Sequence, residues 1–169
     1  GNLDGLKKSL AFGLKMVILT CLPATIGLMV LGKPIIQLLF EHGQFDIFAT
    51  NMTYLTLFFY AFGLVGFASL YTIVPAFYSQ QDTLTPVKTG MISATANIIF
   101  SLLLMRPLEQ GGLTLSLSLA GYLNVSLLLI KLRQKIGPLG LRQIFRFFLK
   151  VLFASIMMGM FAGSLWSQE

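Results

Sequence analysis

The chain has one histidine, His42, one cysteine, Cys21, and six carboxylates, Asp4, Glu41, Asp46, Asp82, Glu109 and Glu169. Hydrolytic chemistry of the serine type needs a nucleophile, a base and an orienting acid within hydrogen-bond reach. Ser79 and Asp82 are close in sequence, but His42 is parted from them by the uncharged residues 47–78. If that run crosses a bilayer, ~30 Å of hydrocarbon keeps the base from the other two. A metal site needs several His, Cys or carboxylate ligands converging, and the six acids are scattered over both ends of the apolar runs. A single cysteine allows no intrachain disulfide, and Cys21, inside an apolar run, reads as a small buried hydrophobe. No catalytic residue, metal or cofactor is expected from these residues.

The elements that would position them are apolar. The chain is 56% hydrophobic and 11% charged, with mean hydropathy +0.81, too poor in polar groups to cover a water-soluble globule. Five runs lack charge: 16–32, 47–81, 89–105, 110–130 and 151–168. Four are near the ~17–25 residues a helix needs to span the hydrocarbon, and 47–81 is longer. The fold class expected is all-α, a polytopic membrane bundle of five transmembrane helices. Lys7, Lys8, Lys15, Lys88, Lys131, Arg133, Lys135, Arg142, Arg146 and Lys150 gather at one set of connections, which the positive-inside rule assigns to the cytoplasm. The net charge of +6 thus meets membrane lipid headgroups, not nucleic acid. No cleavable signal peptide is expected, since the first apolar run is too long and lacks a small-residue cleavage site. The start at Gly1 and the odd number of crossings suggest a piece of a larger membrane protein.

Punctuation marks the segments. Gly32-Lys33-Pro34 should end the first helix near Leu31 and start a short separate interfacial helix, Pro34 to Phe40. Segment two, about Asn51 to Tyr78, carries Tyr54, Tyr60, Tyr71 and Tyr78, of which the outer ones suit the headgroup belt, with Gly63 and Gly66, which allow close helix approach. Segment three should begin at Thr85-Pro86, with a hydroxyl cap and a proline in the first turn, and end near Arg106-Pro107. Leu113 to Leu119 alternates polar and apolar like a strand, but an unpaired strand in lipid leaves its backbone unsatisfied, so a helix is expected. Gly137-Pro138-Leu139-Gly140 breaks the chain before segment five, where Ser155, Gly159 and Gly163 form a smooth packing seam. Asn97 and Asn124 fall within spans; hydrogen bonds between helices are their first reading, cavity lining the second.

The stretch Phe77-Tyr78-Ser79-Gln80-Gln81-Asp82-Thr83-Leu84-Thr85-Pro86-Val87-Lys88 closely resembles the FY-x-x-x-DT-x-TP-x-K loop of the MurJ/MviN family, lipid II flippases of the MOP exporter superfamily. Leu22-Pro23-Ala24, Gly43-Gln44-Phe45, Tyr60 to Gly63-Leu64, Arg106-Pro107-Leu108, Gly112 to Ser116 and Asn124 agree in the same order. The resemblance covers about residues 1–136. It implies a MOP/MATE-like two-lobe transporter of the bacterial inner membrane, with these helices as the ninth to thirteenth of fourteen. Residues 1–136 would supply four helices of the C-terminal lobe and 137–169 an additional one. The implied partners are lipid II, an undecaprenyl-diphosphate-linked precursor, and the remaining helices of the same transporter, and the implied process is peptidoglycan synthesis by alternating access. The arginines given the diphosphate in that family lie outside this chain, so its substrate-binding residues stay unknown. The Gly163 seam would then face the missing final helix.

The motif Phe77, Tyr78, Asp82, Thr83, Thr85 and Pro86 has two readings. Asp82 with the threonines starts the third helix, adding charge near its positive end, or Asp82 pairs with a cation on the opposite lobe as a cytoplasmic gate. Other functions consistent with the residues are a MOP exporter of another lipid-linked oligosaccharide, a membrane-embedded enzyme acting on lipid, which would need clustered acids or histidines, and a non-transporting assembly subunit.

Overall fold

The computed structural model describes residues 3–40 and 47–166, which form four continuous helical stretches: α1 Leu3–Phe40, α2 Ile47–Tyr78, α3 Leu84–Ile136 and α4 Leu141–Trp166. The 53 residues of α3 would extend ~80 Å if straight. They do not, because the Ser101 and Ser116 hydroxyls lie 2.7 Å apart. The chain therefore reverses between them, and the Gly112 backbone packs directly on the carbonyl of Leu104. Two antiparallel arms result, matching the apolar spans Leu84–Leu108 and Gln110–Ile136, so five helices are long and apolar enough to cross a membrane. The expected break at Arg106-Pro107 is thus a reversal of the chain between the spans Leu84–Leu108 and Gln110–Ile136. Gly111 and Gly112 permit it: a Cβ on Gly111 would meet the Leu55 and Phe59 side chains of α2 at 3.0 and 3.1 Å.

The separate helix at Pro34 is also corrected. α1 runs through Pro23 and Pro34 to Phe40. Gly32 does not serve as a left-handed terminator, since among the described residues the positive-φ glycines are Gly137 and Gly140. It is a contact point instead, where a Cβ would lie 2.9 Å from Leu57 and 3.5 Å from Tyr54. Packing against α2 carries the helix past a proline that costs it one hydrogen bond. Gly137 (φ 85) and Gly140 (φ 65) do break the chain as read, and α4 then starts at Leu141, a full turn and more before the apolar run.

α2 is the central element. A first cluster near the cationic end joins Leu10 and Leu14 of α1, Ile73, Ala76 and Phe77 of α2, Leu128, Leu132 and Ile136 of α3, and Leu139 of the following turn. A second joins Ile18 and Leu22, Val65 and Val151. Hydroxyl donors tie the helices at bilayer depth, where lipid offers no competing partner. Thr25 Oγ1 donates to the Ala61 carbonyl (3.2 Å), Ser118 Oγ to Phe59 (2.7 Å), Tyr122 Oη to Phe62 (2.7 Å) and Tyr54 Oη to Met29 (2.6 Å). Gly63, in contact with Ser118, thins α2 where three of these bonds land.

Candidate functional site

The loop between α2 and α3 is built from two interlocking caps. The Asp82 amide donates to the Phe77 carbonyl (3.1 Å) and the Gln81 amide to the Tyr78 carbonyl (2.9 Å). These are the two bonds of a Schellman motif. Its left-handed position, usually glycine, is held by Gln81 at φ 59, the one non-glycine residue with positive φ among those described. Phe77 is fully buried under the turn while Tyr78 is 52% exposed. Gln80 Nε2 and Ser79 Oγ both donate to the Ala76 carbonyl, each at 3.0 Å, so the helix end is closed by side chains too.

Asp82, last residue of that motif, opens α3. Its Oδ1 accepts the Thr85 amide (3.0 Å) and its Oδ2 the Thr85 hydroxyl (2.8 Å). Thr85 is therefore a donor, not the hydroxyl cap expected from Thr85-Pro86, and Thr83, directly before the helix, makes no side-chain cap bond. Pro86 sits in the first turn, where a missing N–H costs nothing, and its carbonyl accepts the Thr89 hydroxyl at 3.1 Å. A third partner comes from the far end of α3: Lys135 Nζ lies 2.8 Å from Asp82 Oδ2. The Lys135 ammonium and then the Thr85 bonds pull the Asp82 carboxyl from 3.8 down to about 2, since each favours the charged form.

The Ser79 hydroxyl is spent on its own helix, and His42, Glu41 and the Gly43-Gln44-Phe45 stretch lie outside the described residues. Among the described residues no group of three His, Cys, Asp or Glu could hold a metal. Of Ser155, Gly159 and Gly163, the two glycines lie against α1: a Cβ on Gly159 would meet Ile26 at 2.7 Å and Val30 at 3.3 Å, and one on Gly163 would meet Val30 at 3.5 Å. The expectation that this seam faces a helix outside the chain is corrected, because α1 already fills it. Asn97 and Asn124 depart from their first reading too. Their Oδ1 atoms are buried with no hydrogen-bond partner among the described residues. They lie on opposite arms of α3, and Asn97 shares a face with Thr89, Ser93 and Ser101, which recur every fourth residue and of which Thr89 and Ser93 are buried.

Comparison with known proteins supplies the context. The profile of a family described as lipid II flippase MurJ matches residues 1–167. A probable lipid II flippase MurJ of Vibrio cholerae is 34% identical over 125 residues, 74% of this chain and 24% of that protein. Its counterpart in Haemophilus influenzae is 33% identical over 156 residues, 90% of this chain and 30% of that protein. A solved structure titled lipid II flippase MurJ, inward closed conformation, superposes with a TM-score of 0.81 at 28% identity, covering 94% of this chain and 33% of that one. The chain spans about a quarter to a third of the length of the relatives it matches.

Proposed function

The chain belongs to the lipid II flippase MurJ family, and from that membership we propose that it forms part of a transporter carrying lipid II across the bacterial cytoplasmic membrane for peptidoglycan synthesis. It is a multi-pass inner-membrane protein with five apolar membrane-spanning helices, of a family of transporters and not of a catalytic class. The observation that carries the reading is agreement of fold over 94% of the chain with a flippase of the same sequence family. The cationic end, where Lys135 meets Asp82, faces the cytoplasm by the positive-inside rule.

A diphosphate in hydrocarbon is prohibitively costly without a counter-charge, so transport of such a lipid needs a wet path that opens to one side at a time. The chain contributes scaffold to that motion: residues 1–136 as part of one lobe and 137–169 as an added segment whose helix α4 packs on α1. Asp82 works as a strut within the lobe, which its bonds to Thr85 and Lys135 support. All three bonds stay inside the chain, whereas a gate would need Asp82 to exchange partners with another lobe.

Depletion of the intact transporter tests the function. Lipid-linked precursor should build up on the inner leaflet; an unchanged pool and distribution would refute it.

A further inference from the structure

Four carbonyls of α2 between Phe59 and Val65 accept a hydroxyl besides their place in the backbone ladder. Ser118 and Tyr122 of α3 donate to Phe59 and Phe62, each at 2.7 Å, and Thr25 of α1 donates to Ala61 at 3.2 Å. Ser69 bonds back to Val65 at 2.7 Å. α2 is helical throughout, so the same carbonyls face the amides four residues on, those of Gly63, Val65, Gly66 and Ser69. An acceptor shared between two donors holds each less firmly, and a side-chain hydroxyl on the ladder bends helices.

Two of those four amides belong to glycines, which leave helical angles at the least steric cost. Each glycine is the ladder partner of a carbonyl that α3 also serves: Gly63 of Phe59, and Gly66 of Phe62. When the ladder opens at either glycine, Ser118 or Tyr122 keeps the carbonyl bonded, so hydrocarbon meets no bare acceptor. The donors come from α1 and from α3, two separate neighbours, and fix the pivot in place while the ends of α2 swing.

The cationic part of α2 is anchored. Ile73, Ala76 and Phe77 are buried with Leu10 and Leu14 of α1 and Leu128 and Leu132 of α3. Pro75 withholds an amide from the Tyr71 carbonyl, but buried neighbours on both sides make that a fixed kink and not a moving one.

We propose that α2 hinges at residues 59–66, its outer part, 47–58, tilting against 67–78 between the two access states; this goes beyond the flippase reading above and rests on it. The fourteen residues from 62 to 48 span ~21 Å, so a bend of about 20° carries the outer end of α2 ~7 Å sideways.

Electron cryomicroscopy of the intact transporter in an inward-open and an outward-open state tests the hinge. The angle between the axes of 47–58 and 67–78 should differ by about 20° between the two states, and an angle constant within about 5° overturns the proposal. A change of angle centred on Pro75 also overturns it. Gly66→Ala gives a second readout: a Cβ there meets Tyr122 at 3.4–3.6 Å, an ordinary contact, so packing is kept while the backbone stiffens. Flipping of purified lipid-linked precursor in proteoliposomes should slow about fivefold, the ratio given by the Gly–Ala difference in helix propensity when it falls wholly on the bent state. Thermal stability should be unchanged or raised. Gly27→Ala in α1, with nothing within 4 Å of the added methyl, should flip at the wild-type rate. A wild-type rate for Gly66→Ala overturns the hinge; if that variant fails to insert, the angle decides. A wild-type transporter that moves no precursor would instead refute the flippase reading, whatever the angle.

Discussion

Lys135 Nζ reaches Asp82 Oδ2 at 2.8 Å across 53 residues of sequence, so the last turn of α3 is tied to the residue that opens it. The contact closes the base of the α3 hairpin, while the Ser101–Ser116 contact holds its arms together further along. Lys135 is 40% exposed, so water screens the ion pair and its own contribution is small. The larger part of the junction is the start of α3, where Asp82 satisfies an amide that no carbonyl can reach.

Substitution at Asp82 should therefore be graded. Asp82→Asn keeps an oxygen for the Thr85 amide and loses the charge; Asp82→Ala loses both. Thermal stability of the intact transporter in detergent should fall in the order wild type, Asn, Ala, and Asp82→Asn should still complement loss of the gene. A gate role predicts the contrary pattern, with Asp82→Asn stable and inactive.

The same carboxylate sets a pH dependence. Its folded pKa, about 2, lies below the ordinary 3.8, so the folded state holds fewer protons than the unfolded one in that interval. The stabilisation is whole above the ordinary value and is lost as pH falls through the interval toward about 2. Melting of wild type and Asp82→Asn across this range should converge at the acid end, and a constant difference would contradict the assignment.

Gln81 is held at φ 59, where a side chain crowds the following carbonyl. Gln81→Gly should stabilise the α2–α3 junction by about 1 kcal/mol, the penalty a non-glycine residue carries in that conformation. Slower amide exchange at Asp82 would report it, and unchanged or faster exchange would count against the Schellman geometry.

The spans were legible because charge is absent from them, and lipid admits helices there without regard to propensity. The α3 reversal was legible only as a break, since Pro107 and two glycines look the same whether the chain kinks and runs on or turns back on itself. Gly32-Lys33-Pro34 misled for a related reason: a glycine that terminates a helix and one that admits a neighbour read alike. Lys135 as the partner of Asp82, Gln81 in a glycine conformation and α1 as the filler of the Gly159 seam depend on contacts distant in sequence or on backbone angle, and no local pattern marks them. The orphan oxygens of Asn97 and Asn124 were legible as polar residues in spans, not as groups lacking partners.

Gly63 tests the centre of the bundle. A Cβ there collides with the Ser118 hydroxyl and sits 2.9 Å from Phe67, so Gly63→Ala should cost about 1–3 kcal/mol through overpacking and break the Ser118 bond to Phe59. Gly27→Ala, with nothing within 4 Å, should be neutral or slightly stabilising. Thermal unfolding of the two variants should separate them, and adding Ser118→Gly to Gly63→Ala should recover part of the loss.

The α4 seam distinguishes α1 from any outside helix as its partner. Gly159→Ala places a methyl 2.7 Å from Ile26 Cγ2, an atom fixed by β-branching, and should cost about 1–3 kcal/mol. Gly163→Ala meets Val30 at 3.5 Å, an ordinary contact, and should be tolerated although both glycines belong to one GxxxG. Ile26→Ala removes the colliding methyl, so the pair Ile26→Ala with Gly159→Ala should be less destabilised than the sum of the single changes. A helix outside the chain as partner predicts additive losses, because Ile26 would then have no part in the contact.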